Sequence, residues 1–92
     1  MLQIRYSAQF KKDYKRVKKQ GHDMAKLVSA LELLARGDAL PERMHDHALS
    51  GSYKSFRECH IEPDWLLIYK IDSEKLTLTA TRTGSHATLL SL

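Results

Sequence analysis

Residues 56–65 read FRECHIEPDW and crowd Arg57, Glu58, Cys59, His60, Glu62, Asp64 and Trp65 around one proline, beside the most apolar run of the chain. A turn uses Pro and Asp but has no need of His, Arg and several carboxylates together. His45 and His47 precede this block, and Arg82 and His86 follow it. Two or three His residues, an Asp and an Arg, with neither a nucleophilic Ser motif nor a phosphate-cradling Gly loop, suit cleavage of RNA by its own 2′-hydroxyl. That reaction takes a base for the hydroxyl proton, an acid for the leaving 5′-oxygen and a cation for the charge on the phosphorane. It requires no metal. Neutral and protonated His divide the two proton transfers near pH 7, because the unperturbed imidazole pKa, about 6.5, lies close by. Each acid or base role is typically worth about 10²–10⁴ in rate.

Plainer readings stand beside this one. A lone His at a strand end is more often a surface or hydrogen-bonded structural group. Arg82 also fits a solvent-facing strand terminus, Trp65 a core aromatic and Cys59 a small buried hydrophobe. His45 and His47 form a His-x-His pair that can chelate, but two loop residues are a thin ligand set. No metal or other cofactor is expected.

The elements that must position these residues follow from periodicity and capping. LQIRY alternates as a short strand. Ser7 can cap a first helix in which Phe10, Tyr14 and Val17 form a narrow apolar stripe, ended by Gly21. Asp23 can cap a second, with Met24, Leu27, Val28, Leu31 and Leu34 as a wider buried face and Gly37 as its stop. Residues 38–51 lack sustained periodicity and read as a loop holding one helical turn. SYKSFRECHI is strand-like, and WLLIYKI is apolar on both faces, as a central strand covered on both sides must be. LTLTATRT alternates strictly, with Leu76, Leu78, Ala80 and Arg82 on one face and four Thr on the other; Asp72 to Lys75 is the intervening turn. The tail GSHATLLSL adds a last strand or turn. The predicted fold is α+β, in the order β-α-α-β-β-β, with two antiparallel helices on one face of a small, largely antiparallel sheet. Strand ends of such a meander can bring His47, His60, Asp64, Arg82 and His86 together, and the face without helices is left to bind something.

Composition agrees with this plan. The 92 residues make one domain, 1–92, and the 42% hydrophobic and 28% charged content is that of an ordinary globular protein. Neither a membrane span nor a signal peptide is expected, and the single Cys excludes an internal disulfide, so the chain is placed in the cytoplasm. The charge is uneven. Seven of the fifteen Lys and Arg residues fall in the first twenty positions (Arg5, Lys11, Lys12, Lys15, Arg16, Lys18 and Lys19), against one acid, Asp13.

The stretch HDHALSGSYKSFRECHIEPDWLLIYKI, followed by RTGSHATLL, closely resembles the YafQ branch of the RelE/ParE superfamily of bacterial toxins. Its members carry a DHPL-G run, an R-x-x-H-x-x-P-D-W-L-L-x-Y block and a C-terminal R-x-G-x-H. The resemblance spans about Met1 to Leu90 and implies a RelE-like fold. It also implies a ribosome-dependent endoribonuclease, an mRNA interferase that cuts messenger RNA in the ribosomal A site. Such a toxin is held inactive by a cognate ribbon-helix-helix antitoxin of the DinJ type. Carried over residue by residue, the catalytic positions are His47, His60, Asp64, Arg82 and His86. His86 takes the place of the general acid, His60 or Asp64 that of the base with His47 assisting, and Arg82 that of the phosphate holder. Trp65 matches the family aromatic beside the Asp. Leu90 stands where the family often has an aromatic that stacks on RNA, which leaves codon preference open. The resemblance assigns Lys11, Lys12, Lys15, Arg16, Lys18 and Lys19 to ribosomal RNA, whose phosphates they would neutralise without reading sequence. A ParE-like inhibitor of DNA gyrase and a non-catalytic RNA-binding module are the rival readings; neither uses the clustered histidines.

Overall fold

A computed structural model describes residues 1–90, the side chain of Leu90 excepted. The elements are β1 (Gln3–Tyr6), α1 (Ala8–Lys19), α2 (Met24–Ala35), β2 (His47–Ala48), β3 (Arg57–Glu62), β4 (Trp65–Asp72), β5 (Thr77–Gly84) and α3 (His86–Leu90), with 3₁₀ turns at Glu42–Met44 and Gly51–Tyr53. Both long helices start where the caps predict. Ser7 Oγ accepts from the Phe10 N–H at 2.9 Å and Asp23 Oδ1 from the Ala25 N–H at 3.1 Å, each satisfying a donor that has no partner within its helix. After α2, Gly37 takes φ +80°, and the Gly37 and Asp38 N–H groups close on the Leu34 and Leu33 carbonyls.

The strands order as β1-β5-β4-β3-β2, with β1 parallel to β5 and every other pair antiparallel. The helices cover one face. Phe10, Val17, Leu27, Leu31 and Leu34 bury against Leu67, Tyr69, Leu78 and Ala80. Val28, expected in the buried stripe of α2, is exposed instead, and Ala30 and Ala35 are buried with Leu27, Leu31 and Leu34. Residues Trp65–Tyr69 of β4 are buried on both faces, because Leu49, Tyr53, Phe56 and Leu89 pack over Leu66 and Ile68 on the side away from the helices. Fully burying each such aliphatic side chain is worth about 1.5–3 kcal/mol.

Three features depart from the sequence reading. The loop after α2 contains β2, two residues that pair His47 with Glu58 and Ala48 with Arg57 and so add a fifth strand. The tail forms the short helix α3, not a strand. The strict alternation expected along β5 fails: the register shifts between Ile68/Arg82 and Tyr69/Ala80, leaving Thr81 as a bulge. Leu78 and Ala80 face the helices, but Arg82, opposite Ile68, emerges on the other face. One extra residue reverses every side chain beyond it.

Past Tyr6, β1 ends and the outer edge of β5 would be bare. Side chains around α1 replace the missing strand. Ser7 donates to the Thr81 carbonyl at 2.7 Å, Asp13 accepts from the Thr83 N–H at 3.2 Å, and Arg16 donates to the Thr83 carbonyl at 3.0 Å. Gly84 sits beside this contact at φ +155°, a conformation that side-chain-bearing residues rarely adopt, and a Cβ there would displace the Arg16 guanidinium. Among the described residues no helix is long and apolar enough to cross a membrane.

Candidate active site

Sheet register sets the geometry of the helix-free face. His47, Glu58, Ile68 and Arg82 lie side by side across β2, β3, β4 and β5, and the next row holds His60, Leu66 and Gly84, with His86 two residues beyond. His60 is the hub of an imidazole cluster. Its ring centroid lies 5.5 Å from that of His45, 6.4 Å from that of His47 and 5.4 Å from that of His86.

Carboxylates and carbonyls orient these rings. His47 Nδ1 lies 2.6 Å from the His45 carbonyl oxygen, which can only accept, so Nδ1 carries the hydrogen and Nε2 is the working nitrogen. His45 presents that carbonyl from a left-handed conformation, φ +46°, at the end of a 3₁₀ turn. Asp46 fastens the same segment to the sheet, accepting from Arg57 Nε at 3.3 Å and from the Tyr69 hydroxyl. Burial, with Asp46 beside it, pushes the Tyr69 hydroxyl pKa up, so it remains a donor. Asp64 Oδ1 accepts twice from His86, from its backbone N–H at 3.0 Å and from Nδ1 at 2.8 Å, which leaves Nε2 outside this pair. These two bonds, from the backbone and then from the ring, hold the Asp64 carboxyl below the usual carboxylate range.

Beneath the rings is a carboxylate that residue types alone did not single out for a role. Glu58 Oε1 lies 3.5 Å from His47 Nε2 and 3.7 Å from His60 Nε2. Its side chain is only 5% exposed, and among the described residues Oε2 is buried without a hydrogen-bond partner. Such atoms are rare in folded proteins, and this one lies directly under the histidines. The available signal was its position, two residues before His60 on one strand and hence on the same face.

Arg82 shares this face, with Ile68 between it and Glu58 in the same row. Its Nε and Nη2 bind Asp13 at 2.7 and 3.3 Å, leaving Nη1 outside the pair. Asp13 is fully buried. Burial alone would raise its carboxyl pKa, but hydrogen bonds from Arg82, Gln9, the Thr83 N–H and Arg16 outweigh that and hold it low. The sequence marked Asp13 only as the single acid within the basic run; its spacing from Phe10 and Val17, which places it on the buried side of α1, was the signal left unread.

Trp65 requires a correction. It is 1% exposed, its Nε1–H donates to Thr83 Oγ1 at 2.9 Å and its ring packs on His22 at 4.6 Å, so it cannot stack on RNA. Arg16 is likewise bound inward, to Asp13 and the Thr83 carbonyl. Lys11, Lys12, Lys15, Lys18 and Lys19 are exposed on α1, on the helix layer. The Leu90 side chain lies outside the described residues.

Glu58, His60 and His86 offer one ligand atom each, all within 4.8 Å of one another. Two imidazoles and a carboxylate are a donor set that suits first-row divalent ions.

A helix pair over one face of a mostly antiparallel sheet agrees with the RelE-like fold that the resemblance implied. A family model described as "Bacterial toxin of type II toxin-antitoxin system, YafQ" matches residues 2–91, and the chain belongs to that family. It is 47% identical over 87 residues to the mRNA interferase toxin YafQ of Escherichia coli K12, covering 94% of this chain and 92% of the relative. The crystal structure of the E. coli DinJ-YafQ complex superposes with a TM-score of 0.87 at 43% identity over 97% of this chain and 98% of that one. A metal-bound toxin from Helicobacter pylori superposes with a TM-score of 0.92 at 43% identity, over 97% and 99% of the two chains.

Proposed function

We propose that this toxin is a ribosome-dependent mRNA interferase that cuts messenger RNA in the ribosomal A site by acid–base chemistry. The observation that carries the reading is the convergence of His47, His60 and His86 on one face, with a working nitrogen of His47 and of His86 fixed by a hydrogen bond to the other. In the reaction the 2′-hydroxyl loses its proton to the His47/His60 pair and attacks the adjacent phosphorus, and the P–O5′ bond breaks. His86, as imidazolium, delivers a proton from Nε2 to the departing 5′-oxygen. Asp64 is a positioning residue, since its Oδ1 is taken up by His86. Glu58 lies against Nε2 of both His47 and His60 and so faces the nitrogens that would take the proton. Arg82 meets the phosphate through Nη1, with Asp13 holding the guanidinium in place. A divalent ion held by Glu58, His60 and His86 would supply Lewis acidity while tying up nitrogens that the proton transfers need.

The exposed lysines of α1 dock the toxin on ribosomal RNA. Their charge also favours an acidic arm on the partner that silences the toxin in the cytoplasm, an antitoxin of the DinJ kind, as the complex of the E. coli relative suggests. The test is the chemistry of the cut ends on programmed ribosomes. A 2′,3′-cyclic phosphate, or its hydrolysis product, facing a 5′-hydroxyl supports the mechanism, and a chelator that spares the Mg²⁺ of the ribosome should leave the rate unchanged while micromolar Cu²⁺ or Ni²⁺ lowers it. A 5′-phosphate facing a 3′-hydroxyl means that water attacks, and removes the mechanism.

A further inference from the structure

The catalytic face of the sheet continues beyond the histidines. Gln3 and Arg5 of β1, Thr77 and Thr79 of β5, and Lys70 and Asp72 of β4 form adjacent rows on it and, with Lys75, line an open cleft of about 650 Å³. Among the described residues Arg5, Lys70 and Lys75 are in no ion pair. The one acid, Asp72, has Oδ1 engaged with the Glu74 and Lys75 N–H groups of the hairpin turn, at 3.1 Å each. The mechanism uses none of these residues.

Between the cleft and the histidines lies a ridge of half-buried aromatics. Tyr53 and Phe56 pack edge to face at 5.6 Å, Tyr53 lies against Arg82, and the Lys70 ammonium sits 5.6 Å from the centre of the Phe56 ring. From Leu66 beside His60 to Asp72 at the cleft, β4 runs six residues, or about 20 Å, a span of a few nucleotides. Cations interleaved with aromatic faces make a track for single-stranded nucleic acid, the cations following phosphates and the rings meeting bases.

We propose that the Arg5–Lys70–Lys75 cleft holds the backbone of the message itself, on the 3′ side of the cut. This rests on the A-site reading above: there the 5′ side is held by the P-site codon, so the 3′ strand is the one free to follow the sheet. Ribosomal RNA is the other source of phosphates. The geometry favours the message because the cleft shares a face with the histidines and is joined to them by the aromatic ridge, whereas the α1 lysines lie on the opposite layer. Gln3, Thr77 and Thr79 add neutral donors, which suit phosphate and 2′-hydroxyl contacts without reading sequence.

The test compares two messages on otherwise identical programmed ribosomes, one ending at the A-site codon and one extended several nucleotides beyond it. Single-turnover cleavage is measured against toxin concentration for wild type and for the Arg5→Gln/Lys70→Gln/Lys75→Gln variant. Wild type should half-saturate at about tenfold lower concentration on the extended message, as two or three added phosphate contacts imply. The variant should lose that gain, match wild type on the truncated message and keep the same maximal rate. Its log–log salt dependence on the extended message should be shallower by about 2, at about 0.7 per phosphate for a single strand. Equal losses on both messages would assign the cleft to the ribosome, and no loss on either would leave it solvated; each overturns the proposal. Absence of cleavage by wild type on both messages would instead remove the A-site reading, and this inference with it.

Discussion

The two faces of one sheet are put to opposite uses. On the helix side, Phe10, Val17, Leu27, Leu67 and Ala80 make a continuous core, and its charged member, Asp13, is satisfied from four directions. On the other side, apolar packing shrinks to Leu66, Ile68 and Leu89 with three partly buried neighbours, and the rest of the face carries histidines, carboxylates and cations. There the buried carboxylate, Glu58, keeps an oxygen without a hydrogen-bond partner among the described residues. A polar group fully bonded in a core holds structure in place; one left short of partners costs stability and is retained for something else. Asp13 and Glu58 therefore predict opposite mutational behaviour.

Asp13→Ala should give the largest effect on folding, a loss of about 3 kcal/mol, because it strands the Thr83 N–H and unpairs Arg82 and Arg16. Chemical denaturation measures it. A loss below about 1 kcal/mol would mean that this network is not a structural unit. Glu58→Gln should do the reverse, lowering single-turnover cleavage by about 10²-fold while stability stays within about 1 kcal/mol.

A smaller effect comes from acid. The folded-state pKa of Asp13 is held below its ordinary value of 3.8. Its stabilisation is therefore present above about pH 4 and is lost as pH falls through the folded value. Stability of wild type should decline below pH 4 more steeply than that of Asp13→Ala. Parallel acid limbs would show that the carboxylate is not the group being titrated. Smallest of all, Lys11→Gln/Lys12→Gln/Lys15→Gln/Lys18→Gln should change stability by under about 0.5 kcal/mol. The same variant should flatten the salt dependence of ribosome binding by about 0.7–0.9 per lost phosphate contact. Unchanged ribosome binding would return that face to plain solvation.

Legibility in the sequence followed the same division. Caps at Ser7 and Asp23, stops at Gly21 and Gly37 and the doubly apolar run of β4 were readable because each depends on local chemistry. The bulge at Thr81 was not, since a Thr at every second position reads the same whether or not one residue is extra. That hid the turn of Arg82 onto the helix-free face. β2 was too short for periodicity and exists only because His47 and Ala48 find a partner in β3. Site residues with unusual chemistry, the histidines above all, stood out by type, whereas Glu58 and Asp13 matter through burial that only the packed structure confers. Trp65 misled for the same reason, because its neighbours in sequence suggested a site, whereas in space it is buried, bonded to the buried Thr83 and packed under the half-buried His22.

The central claim is that the histidine face performs proton transfer while the helix face holds the fold, and His86→Gln tests it most directly. On programmed ribosomes the single-turnover cleavage rate should fall by at least about 10²-fold. Ribosome affinity should be nearly unchanged, since the group acts in the transition state, and thermal unfolding should be indistinguishable from wild type. Cleavage near the wild-type rate by a folded, ribosome-bound His86→Gln toxin would contradict the account.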